Sequence, residues 1–123
     1  HIARAALDGI AFQTYDIAQA MAKDMNASLT ELKVDGGASR NNLLLQSQAD
    51  ILGIKVVRPR ITETTALGAA YLAGLAVGFW KNTDEIKNQW QIERCFEPIA
   101  DNDTIEASKA GWANAIGRTL TNK

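Results

Sequence analysis

Ala6, Ile10, Thr14, Ile17, Met21 and Met25 follow one another at three- or four-residue steps, and no proline interrupts Ile2 to Met25. That spacing predicts one long amphipathic helix with this stripe as its inner face. Asn26 suits a left-handed stop, after which Thr30, Leu32 and Val34 alternate with Glu31 and Lys33 in the period-two pattern of a strand. The strand runs into the turn Asp35-Gly36-Gly37-Ala38-Ser39. Beyond it Leu44, Leu45, Gln48, Ile51 and Leu52 form a second helical stripe, closed by Gly53. Ile54 to Arg58 then reads as a short β-branched strand ended by Pro59.

No charge occurs from Thr64 to Trp80. The apolar run Ala66–Val77 would reach about 18 Å as a helix, against about 30 Å of bilayer hydrocarbon, so a buried core helix is expected rather than a membrane span. Leu72 is expected inside. Asn82 and Glu85 have capping-box spacing for a short helix. Gln91 to Glu97 alternates Ile92, Arg94 and Phe96 with Glu93 and Cys95, as an edge strand closed by Pro98 would. Ile105, Trp112, Ile116 and Leu120 mark the inner face of a last helix, started by the Asp101–Thr104 cluster. Helix, strand, helix, strand, helix implies βα crossovers: an α/β fold, a sheet covered by helices.

Composition narrows the function classes. The 123 residues, taken as one domain over 1–123, are 46% hydrophobic and 22% charged, which excludes a disordered or disulfide-stapled chain. A net charge of −1 and a pI near 5.8 provide no global attraction to nucleic acid or anionic membrane. The lone Cys95 suits a reducing compartment. The chain opens at His1 with no secretory pattern, and is expected to be an excised piece of something longer. Arg40 to Arg60 carries four bases and one acid, a field an anion at the neighbouring turn could use, although the solvated faces of two surface elements are the simpler explanation of the charge.

The strongest candidate chemistry is Asp35-Gly36-Gly37-Ala38-Ser39-Arg40-Asn41 between strand and helix. Glycine lets a ligand approach the backbone, the next helix offers unpaired N–H groups, and the Asn41 amide has two donors and an acceptor for an adenine edge. A tight βα turn with no ligand fits the same residues. Asp35 serves either as a catalytic carboxylate or as a partner of the turn amides, and Glu63 as an acid at a helix N-terminus. Trp80, Trp90 and Trp112 read as packing anchors, and His1 and Cys95 lack metal-ligand spacing.

Val34-Asp35-Gly36-Gly37-Ala38 through Asn41-Asn42, then Asp50–Gly53, Arg58-Pro59 and Thr65–Trp80, resemble the carbohydrate kinases, the family of xylulose, gluconate and glycerol kinases. His1–Asp8 is similar to the end of that family's second signature, and Ile92-Glu93-Arg94, Phe96, Pro98 and Ala110-Gly111-Trp112 extend the likeness over nearly the whole chain. Within the family, the run from Thr65 to Gly74 ending in Gly78-Phe79-Trp80 points to the glycerol-phosphorylating members. The resemblance implies the C-terminal, nucleotide-binding part of a longer two-domain, actin-like (ribonuclease H-like) enzyme that uses ATP and Mg²⁺ to make glycerol 3-phosphate. By matching position the nucleotide contacts fall on Gly37, by backbone approach, and Asn41, by side chain, with Gly36 and Ala38 shaping the loop. No catalytic residue or metal ligand is implied in this chain: base, metal ligands and glycerol site lie upstream. A cytoplasmic homo-oligomer is implied for the parent. A related sugar kinase, or a noncatalytic nucleotide-binding or dimerisation module, is the alternative. After Pro98 the sequence departs from the family, and no regulatory partner site is carried over to Asp101–Ile105.

Overall fold

A computed structural model describes residues 1–120; the last three positions of the expected 1–123 domain lie outside the described residues. The chain runs α1 (Ile2–Met25), β1 (Glu31–Lys33), a 3-10 turn (Gly37–Arg40), α2 (Asn42–Leu52), β2 (Lys55–Pro59), α3 (Thr64–Ala76), α4 (Thr83–Lys87), β3 (Ile92–Phe96) and α5 (Asn102–Thr119). The strands form one sheet in the order β1-β2-β3. β1 and β2 are parallel, joined by the α2 crossover, and β3 returns antiparallel along the free edge of β2.

Local sequence sets most element ends. Asn26 stops α1 at φ 48°, and its amide donates back to the last turn. The Asn41 side chain caps α2, and Gly53 closes it in a left-handed conformation. The Asp101 carboxylate accepts from the Thr104 amide at 2.8 Å to start α5, and Asn82 caps α4 in the same way. The β1–β2 register pairs Glu31 with Lys55, whose ammonium lies 3.0 Å from the Glu31 carboxylate and holds that carboxyl below its ordinary value.

The core has two parts that meet on α2. Leu45 and Ala49 pack on Val56 of β2 and Phe96 of β3, with Leu32 and Val34 beside them. The other face of α2, through Leu44 and Ile51, packs on Ala11 and Phe12 of α1, and Trp112 of α5 closes that layer by stacking on Phe12 with ring centroids 5.3 Å apart. The Trp112 indole N–H donates to Asp16 at 2.8 Å.

Three expectations about faces are corrected. The inner side of α1 is Leu7, Ala11, Phe12, Tyr15 and Ala18, whereas Ile10, Ile17, Met21 and Met25 are exposed. Small residues at 11 and 18 let α2 approach closely, and the polar pairs Asp8–Ser47 and Thr14–Gln48 orient that face toward α2. The uncharged helix α3 is not a core helix: Leu72 is 71% exposed, Val77 and Phe79 are exposed, and Gly74 is its buried residue. Its apolar residues surround the axis, so no stripe selects an inner side, and it anchors through Gly74 against the Trp80 ring and Tyr71 edge-on to Trp80 at 5.1 Å. On α5, Ile105 and Trp112 face the core, but Ile116 and Leu120 are exposed. No helix among the described residues is long and apolar enough to cross a membrane.

Candidate functional site

The chain leaves β1 at its C-terminal end, the place where open α/β sheets bind ligands, and turns directly into the candidate loop. Val34 still donates to the Val57 carbonyl at 3.1 Å, so the loop starts from a fixed point. Gly36 then takes φ 75°, ψ 178°, a conformation that a side chain would strain, and its amide donates to the Thr62 carbonyl at 2.7 Å. Its carbonyl accepts from the Ser39 amide at 3.2 Å and the Ser39 hydroxyl at 2.7 Å. These bonds wind Gly37–Arg40 into one 3-10 turn, closed where the Asn41 amide donates to the Ala38 carbonyl at 3.1 Å.

Gly37 differs from Gly36. Its φ lies outside the left-handed region, while a Cβ built on it, as on Gly36, would meet nothing beyond its own chain neighbours within 4 Å. The fold itself does not require glycine there; a ligand laid against the backbone would. Asn41 faces two ways. Its Oδ1 accepts from the Leu43 amide at 3.0 Å and the Leu44 amide at 3.2 Å, which uses the acceptor and leaves the Nδ2 donors of an exposed side chain uncommitted to the cap. Gly36, Gly37, Ala38 and Asn41 therefore come together on one exposed turn at the N-terminus of α2.

Asp35 does not bond the turn amides; its carboxylate accepts the Thr64 hydroxyl, tying the loop to the first residue of α3. Glu63 stands at the N-cap of α3 but makes no capping hydrogen bond through its side chain. Trp90 is half exposed, with the Lys33 ammonium 4.7 Å above its ring. Behind the turn lie residues that sequence reasoning did not place in the site. Arg58, 5% exposed, donates to the Ser39 carbonyl, to Asn42 and to Glu93. The available signal was a charged residue two positions after buried Val56, on the covered side of a strand. Among the described residues no three His, Cys, Asp or Glu side chains are grouped to hold a metal ion.

A parallel βαβ unit with a glycine turn opening onto a helix N-terminus makes this an α/β domain, and the C-terminal domain of the FGGY family of carbohydrate kinases matches residues 1–77. The chain belongs to that family. It is 60% identical over 116 residues to the glycerol kinase of Burkholderia multivorans and 59% identical to that of Burkholderia pseudomallei, covering 94% of this chain and 23% of each relative. The Plasmodium falciparum glycerol kinase with ADP superposes with a TM-score of 0.86 at 35% identity, over all of this chain and 25% of that one. A xylulose kinase from Lactobacillus acidophilus shares the fold, with a TM-score of 0.75 at 24% identity over 96% of this chain and 25% of the other. The α/β expectation thus holds in its finer form, a carbohydrate-kinase domain of the actin-like ATPase fold. The chain spans about a quarter of the length of these relatives.

Proposed function

We propose that residues 1–123 form a single nucleotide-binding part of an ATP-dependent glycerol kinase, on the adenosine side of its cleft. The observation that carries this reading is the open backbone at Gly37, where the fold leaves room for a side chain that the sequence does not supply, beside the Asn41 amide. In this reading Gly37 meets the nucleotide through its main chain, Gly36 and Ala38 set the curve of the loop, and Asn41 donates to the base through Nδ2. ATP supplies the phosphoryl group, and phosphoryl transfer to glycerol needs a base and Mg²⁺ to hold nucleophile and γ-phosphate in line. Those groups belong to the portion of the enzyme corresponding to the other three quarters of the relatives, as does the glycerol site. We infer a cytoplasmic homo-oligomeric parent enzyme on the same likeness. The 60% identity to a glycerol kinase supports glycerol over xylulose or gluconate as the acceptor.

The test is a coupled ATP-consumption assay with Mg²⁺ on the full-length kinase carrying this chain, with glycerol, xylulose and gluconate as acceptors. Glycerol is expected to have the highest kcat/KM, and the 123-residue chain alone to turn over none of them. Preference for another acceptor would overturn the substrate. Glycerol-dependent turnover by the 123-residue chain would overturn the division of labour.

A further inference from the structure

Arg58 is the buried charged side chain among the described residues, and the nucleotide reading does not use it. Its guanidinium is bound on three sides. Nε and Nη2 donate to the two Glu93 carboxylate oxygens at 2.8 and 3.1 Å, a bidentate fork. Nη1 donates to the Ser39 carbonyl at 2.8 Å and to Asn42 Oδ1 at 2.9 Å. The Phe96 ring lies alongside, its centroid 5.5 Å from the guanidinium carbon. Ser39 is in the 3-10 turn and Asn42 is the first residue of α2, so the two anchor points bracket Asn41.

We propose that Arg58, oriented by Glu93, is a positioning residue that fixes the nucleotide turn; the inference rests on the nucleotide reading given above. The turn itself is exposed at Gly37, Ala38 and Arg40, and the Gly36–Thr62 hydrogen bond ties only its start to another segment. Arg58 ties its end. Without the guanidinium, the carbonyl of Ser39, a residue 2% exposed, loses that donor, and the turn must shift to find another. Such a shift moves the Gly37 backbone and the Asn41 amide relative to each other, and with them the grip on adenosine. Lysine can supply only part of the function, because one ammonium cannot form the Glu93 fork while reaching Ser39 and Asn42. Glu93 lies on β3, beyond residues 1–77 that the family domain matches, so the brace joins that domain to the segment after it.

The experiment measures the KM of ATP, the KM of glycerol and kcat in the full-length kinase for Arg58→Met, Arg58→Lys, Glu93→Gln and, as a reporter of the nucleotide reading, Gly37→Val. An adenosine-side grip acts equally in ground and transition states, so its loss appears in KM rather than kcat. Arg58→Met is expected to raise the ATP KM about tenfold, with Arg58→Lys and Glu93→Gln between it and wild type, while kcat and glycerol KM stay within about twofold. If Arg58→Met fails to fold, Glu93→Gln decides, since it keeps one oxygen acceptor for the guanidinium while an NH2 donor replaces the other and the charge is lost, which breaks the fork without removing Arg58. Wild-type ATP KM in Glu93→Gln and Arg58→Met beside a raised one in Gly37→Val overturns the brace and leaves the nucleotide reading standing. An unchanged ATP KM in Gly37→Val overturns that reading and the brace with it. A parallel loss of kcat and glycerol affinity assigns Arg58 to general stability and overturns the positioning role.

Discussion

Asn41 is the residue at which folding and binding are most easily confused, and the structure separates them by atom. Oδ1 accepts two α2 amides at 3.0 and 3.2 Å, whereas the proposed adenine contact uses Nδ2. Asn41→Ala removes both atoms. Losing the cap costs about 1 kcal/mol of stability, and losing one neutral hydrogen bond to the base costs about 0.5–1.5 kcal/mol of nucleotide affinity, a few-fold to about tenfold. Asn41→Asp removes only the donors: its carboxylate still accepts from Leu43 and Leu44 and adds negative charge at a helix N-terminus, worth about 0.3–1 kcal/mol where exposed. The expected result is a wild-type or raised urea midpoint together with weaker ATP binding in calorimetric titration of the full-length kinase. Asn41→Asp with wild-type ATP affinity would refute the contact and leave Asn41 as a helix cap alone.

Gly36→Ala is expected to cost about 1–2 kcal/mol, because its φ of 75° is the left-handed region that a Cβ penalises, whereas Gly37→Ala changes stability by less than about 0.5 kcal/mol; equal denaturant midpoints for the two variants would contradict the geometry of the turn. Leu45→Ala, in the fully packed layer between α2 and the sheet, is expected to cost about 2–5 kcal/mol, and Leu72→Asp on exposed α3 less than about 0.5 kcal/mol in the 123-residue chain. Urea unfolding of both variants checks this, and a large loss in Leu72→Asp would place that side chain inside. The Thr104 side chain and then the Thr104 amide hold the Asp101 carboxyl below its ordinary value, so its contribution is complete above the unfolded value of about 4 and is lost as pH falls through the lower folded one. Asp101→Asn removes that titration, and its urea midpoint is expected to fall less than wild type's between pH 6 and pH 3; equal falls would exclude the cap as a source of the acid sensitivity.

What the sequence determined by itself was local. Asn41 and Gly53 bound α2, Asn26 stops α1, Asp101 starts α5, and Gly36-Gly37 turns the chain between β1 and α2, because each acts on backbone groups within four residues of itself. The turn, with Gly36, Gly37, Ala38 and Asn41, is therefore legible in the order of residues alone. Tertiary structure decided the faces and the support. α1 carries two apolar stripes, and periodicity cannot rank Ile10–Ile17–Met21 against Ala11–Phe12–Ala18; the need for close approach to α2 and the stacking of Phe12 on Trp112 chose the smaller one. α3 carries apolar residues all round, so composition marked it as core while packing left Leu72 in the open. Arg58 finds Asn42, Ser39 and Glu93 across 16, 19 and 35 residues of chain, and only the β2–β3 pairing and the α2 crossover bring those groups within hydrogen-bonding reach. Spacing along a chain reports neighbours one or two turns away; partners that the sheet assembles leave no period to read.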